Sequence, residues 1–200
     1  LAANEAKKIL AVASTDLLKE KSPQELKDKN LWDLPKDCDY LHITNNETID
    51  GIEYYELPED IKIPIIADMS STLLSRPFDI NPYSLIYACA QKNLGCAGVT
   101  WVLVKKDTYD SNAAKKLPMM LSYEKHIEQN SLLNTSPTFA VYLSNLVFEW
   151  IKEEGGLEEM AIRNKKKSDL LYEFIDQSHF YHCPVSFKNR SQTNVCFFLK

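Results

Sequence analysis

The chain of 200 residues has a formal net charge of −5, with 44% hydrophobic and 26% charged residues. This composition can bury a core large enough for one domain plus part of another. The acidic balance argues against a nucleic-acid partner, because phosphate recognition usually needs a basic surface, and no apolar segment approaches the length of a membrane span. We therefore expect a soluble chain that binds neither nucleic acid nor membrane.

The cysteines predict free thiols in a reducing compartment, hence a cytoplasmic location. Their number is odd and none form a CxxC pair. They are Cys38, Cys89, Cys96, Cys183 and Cys196. Two of them lie in or beside apolar strands, where a thiol is a small buried hydrophobe. His179 and His182 have no third ligand of suitable type nearby, so we expect no metal site.

The first predicted elements are a helix and a strand separated by a connection. Residues 2–9 have helix-forming composition, and the proline-punctuated segment 22–39 is interpreted as surface connection. Residues 40–43 predict a strand that ends in a polar cluster before Gly51. His42 lies within this strand, and we interpret it as a packed, hydrogen-bonded histidine rather than a catalytic one.

Three further apolar runs predict the centre of a sheet. They cover residues 63–67, 85–90 and 99–104. Near-continuous apolar runs are typical of parallel strands covered on both faces. The last connection is too short for a helical crossover, so the final strand should run antiparallel and the sheet should be mixed. Asp68 and Lys92 follow two successive runs, and ligands in such sheets lie beyond the carboxyl ends of the strands. These two residues are therefore a site candidate.

Two helices follow. The segment 134–138 has polar capping residues and a proline near the first turn, and Gly155-Gly156 is predicted to end that helix. Its predicted apolar face is Phe139, Tyr142, Leu143, Leu146, Val147, Trp150 and Ile151. The predicted inward residues of a second helix, 157–177, are Leu157, Met160, Ala161, Leu170, Leu171, Phe174 and Ile175. Val185 and residues 195–199 are strand-like.

A domain boundary is expected near the second long helix. We interpret residues 1–156 as part of a large domain, and residues 157–200 as a linking helix and the start of a small C-terminal domain. A helix start such as the one at 134–138 offers free N–H groups to a phosphate, but most helix starts bind nothing.

A lysine and an acid at neighbouring strand ends fit one particular chemistry. A desolvated lysine amine can act as a nucleophile. Pyridoxal phosphate enzymes need such a lysine, together with an acid that faces the pyridine nitrogen. Lys92 and Asp68 could supply both. Spacing alone leaves open that they are a surface lysine and a capping aspartate.

Four segments carry a resemblance that covers essentially all of the chain. They are ADMSSTLLSRPFDINPYSLIYACAQKNLGCAGVTWVLVKKD, NNETIDGIEY, NSLLNTSPTFAVYLSNLVFEWIKEEGG and NRSQTNVCFF. Together they resemble the phosphoserine aminotransferase family, fold-type I pyridoxal phosphate enzymes of serine biosynthesis. The resemblance implies an α/β fold with the mixed, mostly parallel sheet of the fold-type I large domain, plus the start of a small α/β C-terminal domain.

The resemblance also implies roles for residues of the central segments. Lys92 would form the Schiff base with pyridoxal 5'-phosphate, and Asp68 would pair with the pyridine nitrogen. Thr48 is similar to the threonine that contacts the ring hydroxyl, and Gln91 to a residue that helps to hold the phosphate. Lys92, once freed by substrate, would act as the general base of transamination.

A second pair implies a homodimer with shared active sites. Asn134 and Thr135 match residues that in this family reach the phosphate of the other subunit's cofactor. Ser136 departs from the usual proline there, which should affect loop stiffness more than chemistry. The implied substrates are small molecules, with the amino group passing between glutamate/2-oxoglutarate and phosphoserine/3-phosphohydroxypyruvate.

Two alternatives stay open. One is another fold-type I enzyme, such as a desulfurase or an alanine–glyoxylate type transaminase, which would share the lysine and the aspartate but not all of these segments. The other is a catalytically incomplete protein that acts only as a dimerisation partner.

The family's phosphate-gripping loop would precede Leu1, and its histidine–arginine segment would follow Lys200. We therefore expect the isolated 200-residue chain to show little or no aminotransferase activity. A coupled assay of amino transfer from glutamate tests this expectation, and full turnover by the isolated chain would contradict it.

Overall fold

A computed structural model of the chain describes residues 2–8, 12, 26, 32, 34, 37–58, 61–108 and 116–200. The helices are α1 Ala2–Ala6, α2 Tyr123–Glu128, α3 Thr138–Glu153 and α4 Gly156–Gln177. The strands are β1 Leu41–Thr44, β2 Asn46–Glu47, β3 Ile52–Glu53, β4 Ile65–Asp68, β5 Leu85–Cys89, β6 Thr100–Val104, β7 Tyr181–His182 and β8 Phe198–Leu199. Short 3₁₀ turns cover Met119–Leu121 and Phe187–Asn189.

The main sheet is mixed, as predicted. Its order is β1-β4-β5-β6, with β1, β4 and β5 parallel and β6 antiparallel to β5. The chain reverses between β5 and β6 within residues 90–99, which leaves no room for a crossover helix. The predicted helix at 2–9 is observed over Ala2–Ala6. Most of the predicted connection 22–39 lies outside the described residues.

One face of the sheet forms the core. Ile43, Ala67, Ile86 and Ala88 alternate with half-buried residues along β1, β4 and β5, and they pack with the turns that follow β4 and β5. The prediction that both faces are covered holds in part, since the residues of the opposite face are half-buried along β1, β4 and β5. Burial alternates because successive side chains point to opposite faces and one face is packed more closely than the other.

Close packing of α3 against the turn 90–99 decides which side of this helix is buried. Gly95 has a φ of +147°, and a Cβ there would lie 2.8 Å from Ser144 Oγ. A Cβ at Gly98 would lie 3.4 Å from Ala140 Cβ. Small side chains on the helix and glycines in the turn thus allow the backbones to approach.

The predicted apolar face of α3 is correspondingly wrong in part. Ile151 is buried, but the larger apolar side chains of the predicted set are exposed: Phe139, Tyr142, Leu146 and Trp150. The buried positions include Ala140 and Ser144 instead, because only small side chains fit against the glycine turn. The helix begins at Thr138 and ends at Glu153, close to the predicted bounds.

The second long helix shows a similar difference. Its buried residues are Met160, Ser168, Tyr172 and Ile175. Leu170, Leu171 and Phe174 were predicted to face inward, but they are exposed. Tyr172 is buried because its hydroxyl donates to the carbonyl of Ser191 at 2.9 Å. The strand-like segment 195–199 contains the short strand β8, which pairs with β7 at Tyr181–His182, and Val185 belongs to no named strand.

A buried carboxylate ties the β2–β3 hairpin to the end of the chain. Glu53 is fully buried and accepts hydrogen bonds from Arg76 Nε and from the backbone N–H of Gln192, both at 3.1 Å. The Arg76 guanidinium also lies 4.9 Å from the Tyr55 ring centroid. A buried charge is tolerated only with such partners.

No described helix is long and apolar enough to cross a membrane. Likewise, the described residues hold no group of three or more His, Cys, Asp or Glu side chains that could bind a metal ion.

Replacement Arg76→Ala should lower the free energy of unfolding by about 3 kcal/mol, because it leaves the Glu53 carboxylate buried without its cation. The matched control is Arg163→Ala, which removes exposed pairs with Glu154 and Glu159 and should lower the free energy of unfolding much less. Urea unfolding followed by circular dichroism measures both. Equal losses in the two variants would contradict the assignment.

Candidate active site

The candidate site lies at the carboxyl edge of the parallel strands. Lys92 follows β5, in the turn that leads to β6, and its side chain is exposed. Its amine lies 3.5 Å from Thr48 Oγ1, which follows β2. The fold therefore brings together two predicted residues that are 44 positions apart in the sequence. Within the described residues no carboxylate lies at ion-pair distance from the Lys92 amine.

Asp68 ends the neighbouring strand. It lies between Thr44 of β1 and Tyr87 of β5 in the register of the sheet. Its Oδ1 accepts the backbone N–H of Ser70 at 2.9 Å. The hydroxyl of Tyr87, its neighbour on β5, lies 3.0 Å from His42 Nε2. The acid is thus held by its own turn and lies beside this tyrosine.

Burial sets the protonation of the groups around Asp68. Burial, reinforced by the negative charge of Asp68, raises the pKa of Tyr87 to about 12. Burial lowers the pKa of His42, against the opposing effect of Asp68. Burial also raises the pKa of Glu47, which precedes Thr48, and the neighbouring Asp50 acts in the same direction. At neutral pH the tyrosine therefore keeps its proton.

Residues near the end of the chain support the Thr48 loop. Asn194 Nδ2 donates to the backbone carbonyl of Thr48 at 2.9 Å, and its Oδ1 accepts from Asn46 Nδ2 at 2.7 Å. The Sγ of Cys196 lies 3.4 Å from the same Thr48 carbonyl. The segment around Asn194 thus fixes the backbone that carries the Thr48 hydroxyl.

A cleft of about 440 Å³ adjoins the lysine. Its lining includes Lys92, Thr48, Lys167 of α4 and residues 192–195. A cleft of this size is in the range used for small-molecule ligands. Lys167 therefore adds a second positive charge to the cleft that Lys92, the candidate nucleophile, also lines.

The other predicted site residues, Gln91, Asn134 and Thr135, do not line the cleft at Lys92. Gln91 is exposed beside Lys92 in the turn after β5. Asn134 and Thr135 are exposed just before α3, where Asn134 Nδ2 donates to the Thr135 carbonyl at 3.3 Å. Neither belongs to the lining of the cleft at Lys92. Within one chain the structure therefore joins Lys92 and Thr48, places Asp68 on the adjacent strand end, and leaves Asn134 and Thr135 apart.

Three residues of this environment were missed or set aside by sequence reasoning. His42 was interpreted as a packed histidine, and Tyr87 and Asn194 carried no signal. The alternation within β5 could have placed Tyr87 on one face of the sheet, but not opposite Asp68, since strand register does not follow from one strand alone. Asn194 lies 146 positions from Thr48, so no local pattern connects them.

The mixed α/β sheet, with a lysine and an acid at the carboxyl edge of its parallel strands, fits the fold-type I transferase class, to which similar solved structures belong. The chain belongs to the aminotransferase class-V family, whose model matches residues 3–200.

Named relatives agree with this family. The chain is similar to the phosphoserine aminotransferase of Coxiella burnetii (strain RSA 493 / Nine Mile phase I), with 42% identity over 98% of this chain and 54% of the relative. It is 48% identical to that of Azotobacter vinelandii over 84% of this chain and 46% of the relative. The chain spans about half the length of the curated relatives it matches.

Solved structures give the same result. The phosphoserine aminotransferase from Bacillus circulans subsp. alkalophilus matches with a TM-score of 0.82 and 45% identity, covering 88% of this chain and 48% of that one. A pyridoxal phosphate-bound phosphoserine aminotransferase from Trichomonas vaginalis matches with a TM-score of 0.79 and 38% identity, covering 88% and 51%. An alanine–glyoxylate aminotransferase from Nostoc, at 19% identity and a TM-score of 0.64, shares the fold alone.

The lowered pKa of His42 gives stability a defined pH dependence. Between the folded-state pKa and the ordinary value of 6.5 the unfolded chain binds more protons. The stabilising contribution of neutral His42 to the free energy of unfolding is therefore present above about pH 6.5. This contribution is lost as the pH falls through the folded-state pKa of His42. We expect the free energy of unfolding to fall less steeply on acidification in His42→Gln than in the unmodified chain.

Urea unfolding at a series of pH values between about 5 and 8 measures this difference. His126→Gln, at an exposed imidazole, is the matched control. Parallel pH profiles for His42→Gln and the unmodified chain would contradict the assignment.

Proposed function

We propose that this chain is part of a pyridoxal phosphate-dependent phosphoserine aminotransferase, which passes an amino group between glutamate/2-oxoglutarate and phosphoserine/3-phosphohydroxypyruvate in serine biosynthesis. The observation that carries the proposal is the contact of the Lys92 amine with Thr48 beside the strand end that bears Asp68. Relatives at 42% and 48% identity that bear this enzyme's name support it.

The residues present fit the proposed cofactor. The Lys92 amine is exposed and its hydrogen-bond partner is a neutral hydroxyl, so it is accessible to an aldehyde. The Asp68 carboxylate is held in place by the backbone N–H of Ser70. Pyridoxal phosphate, when bound, supplies an aldehyde carbon and an electron-withdrawing pyridine ring.

Each residue then has a distinct task. Lys92 would hold the cofactor through its amine, and the same amine, when free, would take a proton from the substrate α-carbon. The negative charge of Asp68 would favour a proton on the ring nitrogen. Thr48 would orient the ring through the ring hydroxyl, and Gln91 would help to hold the phosphate.

A homodimer completes the proposed site. Asn134 and Thr135 lie apart from Lys92 of their own chain, as residues that serve a second copy would. The nearby helix α3 leaves five apolar side chains exposed, a surface typical of a protein interface. These residues are Phe139, Val141, Tyr142, Leu146 and Trp150. We also propose that residues 1–156 belong to the large domain and 157–200 to a linking helix and a small domain, in a cytoplasmic protein.

The two alternative functions, a dimerisation partner and another fold-type I enzyme, require different residues. A dimerisation partner without catalysis needs Asn134 and Thr135 but no reactive lysine. Another fold-type I enzyme would keep Lys92 and Asp68 but act on other substrates. The sequence identity to phosphoserine aminotransferases favours the proposed enzyme over both.

Borohydride reduction in the presence of pyridoxal phosphate tests the proposed nucleophile in the full-length polypeptide that carries this sequence. We expect one stable adduct, mapped to Lys92 by peptide mass spectrometry, because its amine is exposed and pairs with no carboxylate in the part of the chain that the structure describes. The adduct should be lost in Lys92→Ala and kept in Lys167→Ala, a control lysine on the same cleft.

Transfer of the amino group from glutamate to 3-phosphohydroxypyruvate should be lost with the adduct. An adduct at Lys167 in place of Lys92, or equal labelling of the Lys92→Ala variant, would refute the assignment. An adduct without amino transfer would favour another fold-type I activity.

A further inference from the structure

We propose that Lys167 of α4 is a substrate-binding residue, whose ammonium group binds an anionic group, carboxylate or phosphate, of the amino acid that reacts at Lys92. This inference rests on the proposed function, which brings such an amino acid to Lys92. It deepens that proposal by assigning part of the substrate site to helix α4.

Helix α4 forms one wall of the cleft at Lys92, opposite the edge of the sheet that carries this lysine. The helix residues on the cleft are Asn164, Lys167, Ser168 and Leu171. Their spacing of three and four residues places them on one face of the helix. Lys167 is therefore one of a row of side chains that lines the cleft.

Hydrogen bonds on either side of Lys167 fix this wall in place. Asn164 Nδ2 donates to the backbone carbonyl of Ser75 at 2.9 Å, which joins α4 to the turn after β4. The Tyr172 hydroxyl donates to the carbonyl of Ser191 at 2.9 Å, which joins α4 to the last segment of the chain. The helix therefore holds the backbone of Lys167 at a defined place beside the cleft.

The cleft is positively charged, although the chain has a net charge of −5. Among the described residues that line it, Lys92 and Lys167 are the charged ones, and none is an Asp or a Glu. A cleft lined by one sign of charge concentrates ligands of the opposite sign. Glutamate has two carboxylates, and phosphoserine has a carboxylate and a phosphate, so the charge of the cleft matches the proposed substrates.

Lys167 differs from the lysines that precede it on α4. Lys165 forms an ion pair with Asp169 at 2.5 Å, and Lys166 is exposed away from the cleft. The positions three and four residues beyond Lys167 are leucines, so the helix offers it no acid there. In the part of the chain that the structure describes, the Lys167 ammonium has no carboxylate partner.

The amide side chains of the cleft are already engaged. Asn93, Asn164 and Asn194 each donate through Nδ2 to a backbone carbonyl, and they thereby hold the walls together. An ammonium group has three donors and no acceptor, on a flexible stem that can follow a ligand. Lys167 is therefore the group of this wall that is suited to bind carboxylate or phosphate oxygens.

The first test is the kinetics of amino transfer by the full-length polypeptide with pyridoxal phosphate. Lys167→Met removes the charge but keeps an unbranched side chain of similar helix propensity. We expect KM for glutamate to rise about tenfold with kcat nearly unchanged, because the bound substrate loses one charge-assisted hydrogen bond. The Lys92 adduct should persist, since Lys167 acts on the substrate.

Two further variants separate charge from structure. Lys167→Arg keeps the positive charge and should return KM toward that of the unmodified protein. Lys166→Met removes an equally exposed charge from the same helix, outside the cleft, and should leave KM unchanged. An unchanged KM in Lys167→Met, or an equal rise in Lys166→Met, would overturn the inference.

L-Glutamine, in which an amide replaces the side-chain carboxylate, identifies the anionic group that Lys167 binds. If it is the side-chain anion, Lys167→Met should weaken glutamate and phosphoserine but leave the inhibition constant of glutamine unchanged. If it is the α-carboxylate, all three ligands should weaken by the same factor. Weakening of none of them would contradict the assignment.

A labelling experiment tests anion binding without amino transfer. The full-length polypeptide, with and without pyridoxal phosphate, is acetylated in glutarate, a dicarboxylate that has no amino group, or in sodium chloride of equal ionic strength. At about ten times the Kd of glutarate, we expect acetylation of Lys167 to slow by about tenfold, because the bound anion covers its amine. Lys166 is the internal control, and peptide mass spectrometry measures both.

The outcomes separate this inference from the proposed function. If the Lys92 adduct forms but glutarate leaves the labelling of Lys167 unchanged in both states, the inference fails and the proposed function stands. If glutarate protects Lys167 but no adduct forms at Lys92 and no amino group is transferred, the proposed function fails while anion binding by Lys167 stands.

Discussion

The in-register pairing of β1, β4 and β5 is the constraint on which the candidate site depends. Parallel pairing ends the three strands at one edge, so the residues that follow them meet there. The same ladder places Tyr87 beside Asp68. A slip of one residue in β4 would turn Asp68 toward the apolar core and move the acid away from Tyr87.

The packing of α3 against residues 90–99 holds the turn that carries Lys92. The turn 90–99 carries Lys92, and its glycines let α3 approach closely enough to contact Ser144 and Ala140. The requirement for small side chains at that contact leaves the larger apolar residues of α3 on the surface. One contact therefore both fixes the position of the lysine turn and creates the apolar surface that we assign to a second copy.

Long-range polar contacts join the edge of the sheet to the end of the chain. The Asn194 side chain donates to the backbone carbonyl of Thr48, and the backbone N–H of Gln192 donates to the buried carboxylate of Glu53. These contacts explain why a short hairpin with few apolar residues of its own can present a hydroxyl to Lys92 at a defined place. They also couple the proposed small domain to the residue that would orient the cofactor ring.

The sequence by itself determined the four strands of the main sheet, the antiparallel return to β6 and the start of α3, because these depend on local apolar runs, turn residues and capping. It also proposed Lys92 and Asp68 as site residues, and its motifs identified the family. Only the tertiary structure decided the buried side of α3, the contact of Tyr87 with His42 on the face of the sheet that carries Asp68, and the support of Thr48 by Asn194. Those features depend on strand register and on contacts between distant segments, for which a single sequence holds no local pattern.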